Sequence, residues 1–126
     1  MEVGGCDLSA ATSCGVLVIR VMGVLPGGQG FRDLAAEVRG LVDAAAPRAV
    51  LADLSGVTRW ATLCDAAMAA VERPADAGGP PWALLVHPRD LAYGSRFCEV
   101  NRIAFGDLEV FTSREAAQAW LEACLC

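Results

Sequence analysis

The 126-residue sequence predicts an α/β domain, a mostly parallel sheet of four to five strands joined by crossover helices. Three observations predict it. Short, nearly continuous apolar runs near 16–22, 49–53, 82–86 and 108–111 have the composition of strands in one sheet, those at 49–53 and 82–86 buried on both faces. Between them, apolar residues recur at i, i+3, i+4 and i+7, the stripe of a helix packed along one side. The links are mostly short, so strand and helix alternate as crossover connections require.

Residues 1–14 are polar and glycine-containing and read as a tail or a weak edge strand, with the domain proper spanning 15–126. The β-branched run from Gly15 to Met22 is the first strong strand, and Gly23 to Gly30 is a glycine-rich turn. Phe31, Leu34, Ala35, Val38, Leu41, Val42 and Ala45 then form a helical stripe that Pro47 brings to an end. The strand Ala49–Asp53 closes in an acid, Ser55-Gly56 supplies a tight turn, and a second helix starts between Trp60 and Thr62. Its stripe is Cys64, Ala67, Met68 and Val71. Three prolines and two glycines make 74–81 a loop before the strand Trp82–Val86. A less regular helix covers about 91–104, and 108–111 is a short strand. A capping box of Thr112 and Glu115 opens the last helix, whose buried stripe is Ala117, Trp120, Leu121 and Cys124.

Composition narrows the chemistry. A net charge of −5 argues against nucleic acid, whose phosphates need a cationic partner surface. Ten arginines and no lysine exclude a Schiff-base lysine and the lysine of a P-loop. The first residues lack the basic and apolar regions of a signal peptide and no run is long enough to span a bilayer, so a cytoplasmic protein with reduced thiols is expected. The six cysteines contain no C-x-x-C pair, so no metal site is expected, and no cofactor motif is present.

Three segments carry a family resemblance. They are the first strand ending in Gly23, the run Asp53-Leu54-Ser55-Gly56-Val57, and Glu109 to Leu121 with its Phe111 and closing Ala-x-x-Trp-Leu. Together they resemble the STAS domain, the sulfate-transporter and anti-sigma-factor-antagonist domain, and within it the SpoIIAA-like branch. The resemblance covers roughly residues 15–123 and implies a small, non-catalytic bacterial domain that binds a protein, a small ligand or a membrane surface, with homodimers allowed. Regulatory members carry Asp-Ser-Ser-Gly where a serine at a helix start is phosphorylated; here that place reads Ala61-Thr62-Leu63-Cys64. The resemblance sets Thr62 against the first serine and Leu63 against the second, which leaves Thr62 as a phosphate acceptor or as a plain helix cap.

The remaining candidates come from the residues themselves. Asp53 and His87 follow neighbouring strands at the carboxyl edge, where open α/β sheets bind ligands. An Asp53–His87 or Cys64–His87 pair could be drawn as base or nucleophile machinery, against a structural aspartate, a turn histidine and a buried thiol. Trp60 is the aromatic expected at a contact surface, while Trp82 and Trp120 read as core. Gly27, Gly28 and Gly30 fit neither phosphate-loop pattern, and offer either an anion-binding turn or a turn that needs positive φ. The expected function is an interaction or small-ligand-binding module with its surface at Asp53, Trp60, Thr62 and His87. A Thr62 phospho-switch and a small enzyme using His87 are the alternatives.

Overall fold

The computed structural model describes residues 1–61, 80–105 and 107–125. Their strands form one six-stranded sheet in the order β1-β2-β3-β4-β5-β6, two more strands than the four apolar runs. The elements are β1 (Glu2–Val3), β2 (Cys6–Ser13), β3 (Val16–Leu25), α1 (Gly28–Ala45), β4 (Ala49–Trp60), β5 (Trp82–Leu85), a 3₁₀ turn (Pro88–Asp90), α2 (Leu91–Phe105), β6 (Leu108–Phe111) and α3 (Arg114–Cys124). The helix expected on Cys64, Ala67, Met68 and Val71 lies outside the described residues.

The N-terminal segment is an antiparallel meander against β3, whereas β3 to β6 pair in parallel. Two-residue turns at Gly4-Gly5 and Cys14-Gly15 make it possible, because all four residues have positive φ. That is the geometry of a type I′ hairpin, whose twist matches the strands it joins. Gly4 has a second duty. A β-carbon on Gly30 would lie 2.9 Å from the Gly4 carbonyl oxygen, so only bare backbone lets this hairpin rest on the start of α1.

The long strands differ from their expected ends for a physical reason. β3 continues through Gly23 to Leu25, so the expected turn shrinks to Pro26-Gly27. β4 does not turn at Ser55-Gly56 but runs to Trp60, and Trp60 ends a strand rather than opening a helix. Between the pairs Arg20↔Asp53 and Met22↔Gly56, β4 takes three steps while β3 takes two. The extra residue is a bulge. The Asp53 carboxylate accepts the Ser55 N–H at 2.9 Å and its hydroxyl at 2.5 Å, which turns that N–H away from the ladder.

Both sheet faces are covered. On one, α1 (through Phe31, Leu34 and Val42) and α2 (through Cys98) pack against Leu17, Ile19, Val50, Leu54, Trp82 and Leu84. On the other, Ala117 and Leu121 of α3 pack against Ala49, Leu51, Ala83 and Leu85. All four residues of β5 are buried, as a central parallel strand requires. Ser113, not Thr112, caps α3, its hydroxyl accepting the Ala116 N–H at 3.4 Å. Cys124 is exposed rather than part of the buried stripe, which passes from Ala117 and Leu121 to the partly buried Leu125. Cys6, Cys14, Cys98 and Cys124 are free thiols. Burial pushes the Cys6 thiol above its ordinary pKa, and its Sγ donates to the Val3 carbonyl at 3.1 Å.

Candidate functional site

Parallel strands point the same way, so the carboxyl edge gathers the segments into which each of them runs, although β3 and β4 continue well past the ends of β5 and β6. Leu25 at the end of β3 pairs with Trp60 at the end of β4, which sets the Pro26-Gly27 turn beside Trp60 and Ala61. His87 lies just past β5 and caps the 3₁₀ turn, its Nδ1 accepting the Arg89 N–H at 3.1 Å. Arg89 reaches across to donate to the Val57 carbonyl at 3.3 Å, tying this turn to the long end of β4. Asp90 is buried, with its Oδ2 3.6 Å from Arg89 Nε, an ion pair just beyond hydrogen-bonding distance.

The tie brings the first turn of α2 to Trp60. The Trp60 and Tyr93 rings stack with centroids 5.8 Å apart and planes at 12°. Trp60 is half-buried and packs on the core, while Tyr93 is 46 % and neighbouring Leu91 43 % exposed. The indole Nε1 of Trp60 is buried without a hydrogen-bond partner. Leu91 and Tyr93 carried no signal in the sequence, because α2 has a weak apolar stripe and the stack joins residues 60 and 93. The one usable hint was composition, since Tyr93 is the only tyrosine.

Asp53 sits deeper and on the α3 face, 4 % exposed. Besides Ser55 it meets Arg20 Nε at 3.4 Å and Arg114 Nη1 at 3.9 Å, both on Oδ2. Arg20 interrupts the apolar run of β3, and Arg114 is the first residue of α3, so the carboxylate pins two strands and a helix at one point. Asp53 and His87 therefore have separate partners, the first Ser55 and two arginines, the second Arg89. A carboxylate so engaged is a structural tie. Thr62 and Cys64 lie outside the described residues. Gly27 caps α1 without a side-chain bond, Gly28 has φ +57°, and Gly30 receives the Gly4 turn.

A cavity of about 110 Å³ lies between α1 and the sheet, reaching Phe97 of α2. Its lining is apolar except for Arg39, whose Nε is buried without a hydrogen-bond partner. Among the described residues there is no cluster of three or more metal-ligating side chains, and no helix is long and apolar enough to cross a membrane.

No protein-family model matches this sequence, and no curated protein matches it. Solved structures do. An anti-sigma factor antagonist from Mycobacterium paratuberculosis superposes with a TM-score of 0.62 at 16 % identity, over 94 % of this chain and 96 % of that one. An uncharacterised protein from Shewanella loihica with a SpoIIAA-like fold gives 0.56 at 15 % identity, over 92 % and 93 %. The chain has a STAS, SpoIIAA-like fold.

Proposed function

We propose that this domain is a non-catalytic, regulatory interaction module that docks a partner protein at the carboxyl edge of its sheet. The Trp60–Tyr93 stack carries the reading. A stacked aromatic pair, with exposed Leu91 in the same helical turn and Arg89 and His87 in the turn before it, has the make-up of an interface centre with a polar rim. The likeness to an anti-sigma factor antagonist supports the same class of role.

The test uses the intact chain as bait against extract of the source cell. One protein should be retained by the wild type and by a Glu122→Gln control, with affinity at least tenfold weaker for Leu91→Asp and Tyr93→Ala, roughly 1.4 kcal/mol. Equal retention by all four would sink the docking surface. A Thr62→Glu arm separates the two forms of the proposal: selective loss there makes the module a phospho-switch, and full retention makes it a constitutive binder.

The cavity favours a second reading, a small amphiphilic carboxylate with its chain among Leu54, Trp82 and Leu84 and its head on Arg39. At about 110 Å³ it is somewhat smaller than the roughly 150 Å³ cavity that admits benzene, so a short chain fits. Butyrate should then raise the melting temperature of the wild type and leave that of Arg39→Gln unmoved, while butylamine moves neither. Equal shifts with acid and amine would dismiss this ligand.

A further inference from the structure

The outer edge of β2 is open along most of its length. β1 pairs only with Cys6 and Asp7, and Leu8 is closed by Met1, whose amino group donates to the Leu8 carbonyl at 2.9 Å and whose carbonyl accepts the Leu8 N–H at 2.7 Å. From Ser9 to Ser13 every residue is exposed. The type I′ turn at Cys14-Gly15 fixes which groups point outward. It makes Ser13↔Val16 a hydrogen-bonded pair, so Ser13, Ala11 and Ser9 direct their backbone groups at β3. Ala10 and Thr12 direct theirs away from the sheet, in phase with Leu8, whose N–H and carbonyl do meet Met1 on that side.

Proteins commonly blunt such an edge with lysine, proline or a bulge. The run Ser9-Ala10-Ala11-Thr12-Ser13 has none of these and no charge, in a chain of net charge −5. It also reads nearly the same in both directions. We propose that this edge is a homodimer interface, with β2 of a second copy added antiparallel about a two-fold axis through Ala11. That register sets Ala10 opposite Thr12 of the other copy, and the reverse, so that all four outward N–H groups and their carbonyls pair. Ser9 then faces Ser13, and the two Ala11 side chains meet in the close, non-hydrogen-bonded position, where small residues fit. In this register Cys14 of the second copy comes level with Leu8, so exposed Met1 must swing off the Leu8 backbone to make room. A register centred on Ala10 would run further into Met1, and one centred on Thr12 would set Ala10 against the turn residue Cys14. The result is a continuous twelve-stranded sheet with an isologous contact.

The contact lies on the edge strand, across β3 from β4 and its Trp60 end, so it stands or falls independently of the docking reading. The experiment is sedimentation equilibrium on the intact protein from about 10 to 500 μM with reductant present, so that exposed Cys14 and Cys124 form no cross-links. The wild type should approach twice the monomer mass at the upper end. Thr12→Pro should remain monomeric throughout with an unchanged circular dichroism spectrum, because its lost N–H faces outward and breaks no bond to β3. Ala11→Lys and Ala11→Glu should each be monomeric alone, since like charges meet on the axis, and should form a heterodimer when mixed. A monomeric wild type at 500 μM overturns the proposal, as does a dimer that survives both Thr12→Pro and Ala11→Lys. Should Thr12→Pro fail to fold, the mixed Ala11→Lys and Ala11→Glu pair decides alone, and absence of their heterodimer refutes the axis.

Discussion

Leu51→Ala should destabilise the fold by about 3 kcal/mol, and Val50→Ala by about 2 kcal/mol, although the two residues are adjacent in one strand. In a sheet with one open face, one of any two neighbours is exposed and cheap to change. Here Val50 is fully buried against the α1 side and Leu51 is 1 % exposed against α3. Each truncation removes apolar contact and leaves a cavity that the flanking strands β3 and β5 cannot close without breaking their ladders. The combined loss of about 5 kcal/mol equals the whole stability of a domain at the low end of the usual range of roughly 5–15 kcal/mol. Urea denaturation with an unchanged m-value checks both substitutions. A loss below about 0.5 kcal/mol at either position would mean that its face is not core.

Asp53→Ala should cost about 3 kcal/mol, more than either arginine that surrounds it. The carboxylate holds the Ser55 N–H and hydroxyl that shape the bulge, and removing it ends both charge-assisted bonds together with the pairing to Arg20 and Arg114. Arg20 and Arg114 have half-exposed side chains, so water can receive their charges and the ion pairs themselves count for less. Arg20→Ala and Arg114→Ala should therefore lose about 1 kcal/mol each. Their combination should exceed the sum, since it leaves a buried carboxylate with no counter-charge. A thermodynamic cycle over the four proteins, read by urea denaturation, measures that excess. Additive arginine effects with a near-neutral Asp53→Asn would show the tie to be incidental.

The parallel half of the sheet was legible because burial on two faces leaves a mark in composition. β5 and β6 lie where their apolar runs place them, and α1 buries Phe31, Leu34 and Val42 from its stripe. β2 was faint for a related reason. Only Cys6 and Leu8 reach the core, so most of the strand has no apolar side to show. Ser55-Gly56 misled because the same pair serves a turn or a bulge, and the strand alongside is what separates them. The site was less legible than the fold. Asp53, Trp60 and His87 were visible as residue types, although Asp53 lies within β4 rather than at its end and Trp60 closes a strand rather than opening a helix. By contrast, Tyr93, Leu91, Arg20, Arg114 and Arg39 gain their meaning from neighbours far away in sequence.

Periodicity, apolar runs and turn chemistry act between residues close in the chain, so the sequence by itself determined the α/β class, the core strands and the buried face of α1. The tertiary structure decided the six-strand order, the bulge that carries β4 on to Trp60, the stack of Trp60 on Tyr93 and the two arginines on Asp53. Each of these is a contact between separate elements. Its energy depends on distance and burial in the folded chain, quantities that exist only once the sheet has closed.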